Sequence, residues 1–99
     1  MAHRAVKLAP EAIRQFKLLS AAEKSRLKTA MRASLGEDDA TTPSRNRFRL
    51  RRPSGLSEYE FRDGDLRVFY HIETDAVLVD AIGRKRGNQL FIAGERVIL

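Results

Sequence analysis

Between Leu56 and Arg86 the chain sets proton-carrying and cationic side chains at alternate positions: Glu58, Glu60 and Arg62, then Arg67, Phe69 and His71, and finally the basic run Arg84, Lys85, Arg86. Residues two apart on an extended chain share a face, so paired segments would gather these groups on one surface. Glu60 and His71 are the groups there able to move a proton, and an unperturbed imidazole titrates close to neutrality. Arg62, Arg67 and Lys85 are the cations. A guanidinium donates two parallel hydrogen bonds to a phosphate, whereas an ammonium acts as a point charge. Proton transfer beside a bound phosphate is the chemistry these residue types allow. The plain structural reading of the same groups is a cross-strand Glu60–Arg67 ion pair of modest worth and a solvated histidine.

A second set of cations precedes them. Arg45, Arg47, Arg49 and Arg51 alternate with Asn46, Phe48 and Leu50, which puts four guanidinium groups on one side of an extended segment and the apolar pair on the other. Such a ladder suits a polyanion or an acidic partner. It also suits a charged edge that discourages sheet-to-sheet aggregation.

These side chains need strands to carry them. Asp63-Gly64 lies between runs of alternating polarity, the signal of a two-residue hairpin, because both central residues of a type I′ turn take positive φ. With that loop Arg62 pairs with Asp65 and Glu60 faces Arg67. Glu58, Glu60, Arg62, Arg67, Phe69 and His71 then form one surface, and Tyr59, Phe61, Leu66, Val68, Tyr70 and Ile72 form the other. From Ala76 to Ile82 every residue but Asp80 is apolar, the pattern of a central strand covered on both faces. Leu90 and Ile92, then Ala93-Gly94, then Val97 and Leu99 read as a C-terminal hairpin, with a short helix from Asn88 to Ala93 as the alternative. Pro53, Ser54 and Gly55 are expected to end the arginine-rich strand.

The apolar face of that sheet needs a cover, and the first third of the chain supplies one. After a short strand within His3–Leu8, Pro10 suits a first helical position, and Ile13, Phe16 and Leu19 follow at helical spacing. Ser20 and Glu23 form a capping box that starts a second helix. Leu27, Met31 and Leu35 recur along it, and Gly36 is expected to close it in the left-handed conformation. The segment from Glu37 to Asn46 reads as a flexible surface loop.

The 99 residues fit one domain, residues 1–99, able to bury a core without staples. Cysteine is absent, and His3 and His71 are too few and too far apart for a zinc site, so metal-independent chemistry without a cofactor, or no chemistry, is expected. No apolar run approaches the ~20 residues that span a bilayer, and no signal-peptide core is present, which points to a cytoplasmic protein without membrane partners. Nineteen basic against thirteen acidic residues give a net charge of +6, which favours polyanions in general and no one of them in particular.

The order β-α-α followed by an antiparallel meander, carrying YEFRDGDLRVFYHI and then AIGRKRGNQLF, resembles the RelE/ParE family of toxins from type II toxin–antitoxin pairs. The resemblance covers nearly the whole chain, most specifically Leu50 to Phe91. It implies an α+β, RelE-like β-α-α-β-β-β(-β) fold with an N-terminal αα-hairpin packed on a small, mainly antiparallel twisted sheet. It also implies a cognate antitoxin that wraps the toxin, and Val97-Ile98-Leu99 would suit that partner if left unpaired. RelE-like members are metal-independent endoribonucleases that cleave mRNA, commonly on the ribosome, and so arrest translation and growth. ParE-like members poison DNA gyrase instead, and one fold carries both activities.

Carried over by position, Arg67 matches the arginine of the family's GDxRVxY element that contacts the scissile phosphate. Lys85, or Arg84 beside it, matches the basic residue that stabilises the transition state. Glu60 falls where members carry a lysine or glutamate acting in proton transfer. Arg62, His71, Arg84, Arg86, Arg49 and Arg51 are the expected substrate contacts. Metal-free RNA cleavage uses the 2′-hydroxyl as nucleophile and needs a base, cations for the phosphorane and an acid for the leaving 5′-oxygen. Glu60 or His71 could serve as base. Phe91 stands where ribonuclease members often place a tyrosine, and phenylalanine cannot titrate, so no acid is assigned. A gyrase inhibitor, or a catalytically silent member that binds its antitoxin, is the alternative.

Overall fold

The computed structural model describes residues 3–54, 57–92 and 95–97, with the backbone alone at 51–54, 95 and 97. In chain order the elements are β1 (Ala5–Leu8), α1 (Pro10–Lys17), α2 (Ala21–Met31), β2 (Arg47–Ser54), β3 (Ser57–Asp63), β4 (Leu66–Glu73), β5 (Ala76–Arg86), β6 (Gln89–Ile92) and β7 (Glu95–Val97). The fold is α+β, with two helices on a mixed sheet. From β2 to β7 the strands lie side by side in sequence order, and β1 joins β5 in parallel. The C-terminal segment is therefore the hairpin, not the helix, and Val97 is already paired with Leu90. The turn at 93–94 and the tail at 98–99 lie outside the described residues.

The alternation read from the sequence holds. Tyr59, Phe61, Leu66, Val68 and Tyr70 are buried with Val77, Val79 and Ile82 against Ala12, Leu27, Met31 and Leu35 of the helical layer. Tyr59 and Tyr70 stack, with centroids 5.3 Å apart. The helices sit close to their expected bounds. Ser20 accepts from the Glu23 N–H while Glu23 accepts from the Ser20 N–H, at 3.1 and 3.0 Å, which completes the capping box. On α1, however, Ala12 and Gln15 are buried and Ile13 is exposed, because the side turned to β5 is the one whose Gln15 oxygen accepts the Ile82 N–H.

Three expectations give way to packing. Gly36 does not cap α2 in a left-handed conformation. The helix widens into a π-helical stretch, Arg32–Glu37, and Gly36 lies buried within it. A Cβ there would sit 3.2 Å from the Arg4 carbonyl, whose own N–H donates to Gly36 O; the glycine allows β1 to pass close. The following loop is not loose either. Asp39 accepts from Thr41, Thr42 and Arg4 and is held well below the usual carboxylate range, chiefly by Thr41. Ala40 is buried, and its carbonyl accepts the Tyr70 hydroxyl at 2.6 Å. Lastly, β2 runs on through Pro53, which an edge strand tolerates because one side of its backbone faces no neighbour.

The β3–β4 register differs from expectation by one turn position. Asp63 pairs with Leu66, so the loop is Gly64-Asp65; Arg62 lies opposite Arg67 and Glu60 opposite Phe69. Only Gly64 takes positive φ, at 59°. That is the II′ arrangement, with glycine first, rather than a type I′ turn on Asp63-Gly64. Because the pairing moves by two positions, each side chain keeps its face.

Strand β5 is central, pairing with β4 on one edge and sharing the other between β1 and β6. Its two faces are covered unequally. Val77, Val79 and Ile82 are buried under the helices, while Ala76, Leu78, Asp80 and Ala81 are half-buried. The pairs Phe69–Ala81 and Tyr70–Val79 leave Asp80 as an extra residue, a β-bulge.

Candidate functional site

The sheet face away from the helices carries the predicted polar surface. Across it lie Glu60 and Arg62 from β3, Arg67, Phe69 and His71 from β4, and Lys85 from β5, two residues beyond the Gly83 that pairs with Arg67. Phe69 is buried among them.

Glu60 is the hub. Its Oε1 accepts from Arg62 Nε and Nη2 at 3.3 and 3.2 Å, and its Oε2 lies 3.8 Å from Arg67 Nε. It reaches Arg62 two positions along its own strand and Arg67 on the diagonal, so it neutralises two guanidinium groups that face each other across the pair. Arg62 also lies over the Phe48 ring, 4.1 Å from its centroid. Phe48, on the side of its strand away from Arg47 and Arg49 as expected, thus lies with this polar cluster. Arg67 folds back toward the turn, its Nη1 donating to Gly64 O at 2.7 Å and Leu66 O at 3.0 Å. Its Nε is buried and makes no hydrogen bond among the described residues.

A neighbouring cluster on the same face escaped the sequence reading. The bulge aims Asp80 at His71, whose Nδ1 lies 2.9 Å from Asp80 Oδ2, and the buried Ser57 hydroxyl donates to the same oxygen at 2.8 Å. His71 Nε2 is 3.3 Å from Glu73 Oε2. The Asp80 hydrogen bond, supported by Glu73, raises the histidine above its ordinary value. His71 is accordingly an imidazole held between two carboxylates, better suited to keep a proton than to remove one. A lone carboxylate in an otherwise apolar strand was the available signal; the bulge that directs it was not.

The remaining predicted residues are elsewhere. Arg84 pairs with Leu66 and so lies on the helix side, where its guanidinium spans Asp65 and Glu23 at 2.7 and 2.6 Å. Those partners, Glu23 first, push it above its already high value, and Glu23 is in turn lowered by its Ser20 and Arg84 bonds. Arg86 and Phe91 line the same helix-side recess with Leu18 and Leu19. The arginine ladder is also turned away from the Glu60 surface: Arg47 and Arg49 pair with Phe61 and Tyr59, and Arg49 lies over the Tyr59 ring. Arg47 is buried, donating to Thr42 O, Ser34 O and Asp38. Arg45 precedes the strand, and the Arg51 side chain is outside the described residues. One surface thus gathers Glu60, Arg62, Arg67 and Lys85 with His71, and excludes Arg49, Arg84 and Arg86.

Two guanidinium groups around one carboxylate can bind a phosphodiester, which would compete with Glu60 for the donors and free that carboxylate for proton transfer. Among the described residues no group of histidine and acidic side chains is arranged to hold a metal ion, and no helix is long and apolar enough to cross a membrane. No protein-family model matches the chain, and a comparison with curated proteins finds no match.

Proposed function

We propose that the chain is the toxin of a type II toxin–antitoxin pair, with the RelE-like topology, acting as a metal-independent mRNA endoribonuclease in the cytoplasm. The observation that carries this reading is the pairing of Arg62 and Arg67 with Glu60 on the sheet face away from the helices, the face on which Lys85 also lies. In this mechanism the guanidinium groups take the scissile phosphate and Glu60 accepts the 2′-hydroxyl proton. The 2′-oxygen–phosphorus bond forms as the bond to the 5′-oxygen breaks, leaving a 2′,3′-cyclic phosphate and, after protonation, a 5′-hydroxyl. Its regulator is a cognate antitoxin.

Induced in bacteria without its antitoxin, the wild-type chain should arrest growth and fragment mRNA, and Arg67→Ala should relieve the arrest by at least tenfold in surviving colonies, the scale of one lost transition-state contact. Growth and mRNA both intact under wild-type induction would overturn the proposal.

A second reading has its own observation. Phe91 pairs with Arg84 and lines the helix-side recess, across the strand from Lys85, so the position matched to the family's tyrosine supplies the cluster with no titrating group. That favours a gyrase inhibitor or a silent, antitoxin-binding member, and a supercoiling assay with purified protein separates the two.

A further inference from the structure

We propose that Arg84 is a positioning residue for Arg67, acting through the Gly64-Asp65 turn, and not a contact for substrate. The inference rests on the ribonuclease reading above. Its basis is a series of hydrogen bonds, joined through the Gly64–Asp65 peptide, that begins at the N-terminus of α2 and ends at the Arg67 guanidinium.

The chain starts with the capping box. The Ser20 N–H donates to Glu23 Oε1, which fixes the Glu23 carboxylate at the first turn of the helix, and its other oxygen accepts from Arg84 Nη2 at 2.6 Å. Arg84 Nη1 donates to Asp65 Oδ2 at 2.7 Å. The Asp65 carbonyl accepts from the Lys85 N–H, also at 2.7 Å. Asp65 is thus held from both its side chain and its backbone, and Gly64 is the residue before it. The Gly64 carbonyl and the neighbouring Leu66 carbonyl accept the two Arg67 Nη1 bonds. Arg26, further along α2, adds a weaker and more exposed tie to Asp63 at 3.3 Å.

Each step has a physical reason to be stiff. A guanidinium is a planar fork, and here two of its donors bridge two carboxylates on different elements, a task a lysine could not match in geometry. The turn it clamps is a two-residue loop whose first residue is a left-handed glycine, the most permissive backbone in the hairpin. Without the bridge the turn keeps its strands and the Lys85 N–H bond but loses the side-chain tie that helps fix its carbonyl directions. Arg67 takes its aim from those carbonyls, with its buried Nε 3.8 Å from Glu60 and without a hydrogen bond among the described residues. Arg84 is not placed to meet an RNA on the Glu60 face, because it lies on the other side of the sheet with both its Nη groups engaged by carboxylates.

The test uses the purified full chain and Arg84→Gln, Asp65→Asn, Glu23→Gln, Arg67→Ala and the Arg84→Gln/Arg67→Ala double variant. mRNA cleavage is followed in a translating extract, and binding of an oligouridine is followed against salt. Positioning predicts that Arg84→Gln lowers the cleavage rate at saturating RNA by about 10- to 100-fold, the scale of a misplaced catalytic group. The salt dependence of binding should not change. Asp65→Asn should lower cleavage in the same direction although it removes a negative charge, which electrostatics alone would make favourable. In the double variant, loss of Arg84 should cost nothing beyond loss of Arg67, which general destabilisation would not mimic.

A phosphate contact predicts the reverse: Arg84→Gln flattens the salt slope by about 0.7, the value for one phosphate of a single strand, and Asp65→Asn binds tighter and cleaves as fast as wild type. That result, or unaltered cleavage by a folded Arg84→Gln, overturns the inference. If Arg84→Gln fails to fold, Asp65→Asn cuts the same bridge from its exposed end and decides the matter. Absence of cleavage by the wild-type control would remove the ribonuclease reading itself, and the inference with it.

Discussion

Replacing Arg47 by alanine should cost the domain about 3 to 5 kcal/mol, and the structure supplies the arithmetic. Arg47 is only 6 % exposed. Its guanidinium donates to the Thr42 carbonyl at 3.0 Å and the Ser34 carbonyl at 2.7 Å, holding the loop after the π-helical stretch against β2. A hydrogen bond from a charged donor contributes about 1.5–3 kcal/mol, and two give about 3–6. The third bond, to the largely exposed Asp38, adds little. Water reaching the freed carbonyls trims the total toward its lower half. In urea, with a slope of about 1–3 kcal/mol/M for a domain of this size, the midpoint should fall by roughly 2 M. Amide exchange should localise the effect: the Thr42 N–H, bonded to Asp39 O, should lose protection first. Arg47→Met, which keeps the buried stem, should recover only a minor share. A loss under about 1 kcal/mol with the Thr42 amide unchanged would refute the assignment of Arg47 to structure, and would return it to the pool of free cations.

Three further outcomes follow from the same geometry. Because His71 is raised above its unfolded value by Asp80 and Glu73, its contribution to stability is present below about pH 6.5 and is lost as pH rises through the folded value. The melting-temperature gap between wild type and His71→Gln should therefore shrink from pH 6 to pH 9, and a gap that does not move with pH would contradict the Asp80 pairing. Thr74 holds φ at 55°, a left-handed conformation that a β-branched residue adopts under strain. Thr74→Gly should therefore stabilise by about 1 kcal/mol in chemical denaturation, and a destabilised variant would show that the threonine gains more than it loses there. The loss of arrest in Arg67→Ala, read as surviving colonies with mRNA left whole, completes the set.

The helix starts, the two faces of the β3–β4 hairpin and the central place of β5 were legible because each follows from local chemistry or from a period of two. What was not legible depended on count rather than kind. One extra residue at Asp80 redirects a carboxylate without disturbing the apolar pattern around it, since Val79 and Ile82 both still face the core. The Gly64-Asp65 turn moved the pairing by two, which left every face intact and changed every partner. Arg47 and Arg49 shared a side as expected, but which side is set by pairing with Phe61 and Tyr59, a tertiary fact. The run Arg84-Lys85-Arg86 reads as one basic patch, and in a strand it must divide between two surfaces.

The edge that β5 shares between β1 and β6 also sets an order of assembly. β1 has no strand partner until Ala76–Val79 exist, 71 positions later in the chain, since Ala5 pairs with Ala76 and Leu8 with Val79. While the protein is being synthesised, its first forty residues can form helical turns but have no sheet to close upon. The contacts that complete the core then carry a high loop-closure cost that falls late. Residues 66–86 make a local hairpin first, and the N-terminal strand arrives on a finished template. A chain interrupted before β5 is made should thus lack both its core and the sheet that carries its cationic surface, so that the folded domain comes with the last quarter of translation and not by degrees.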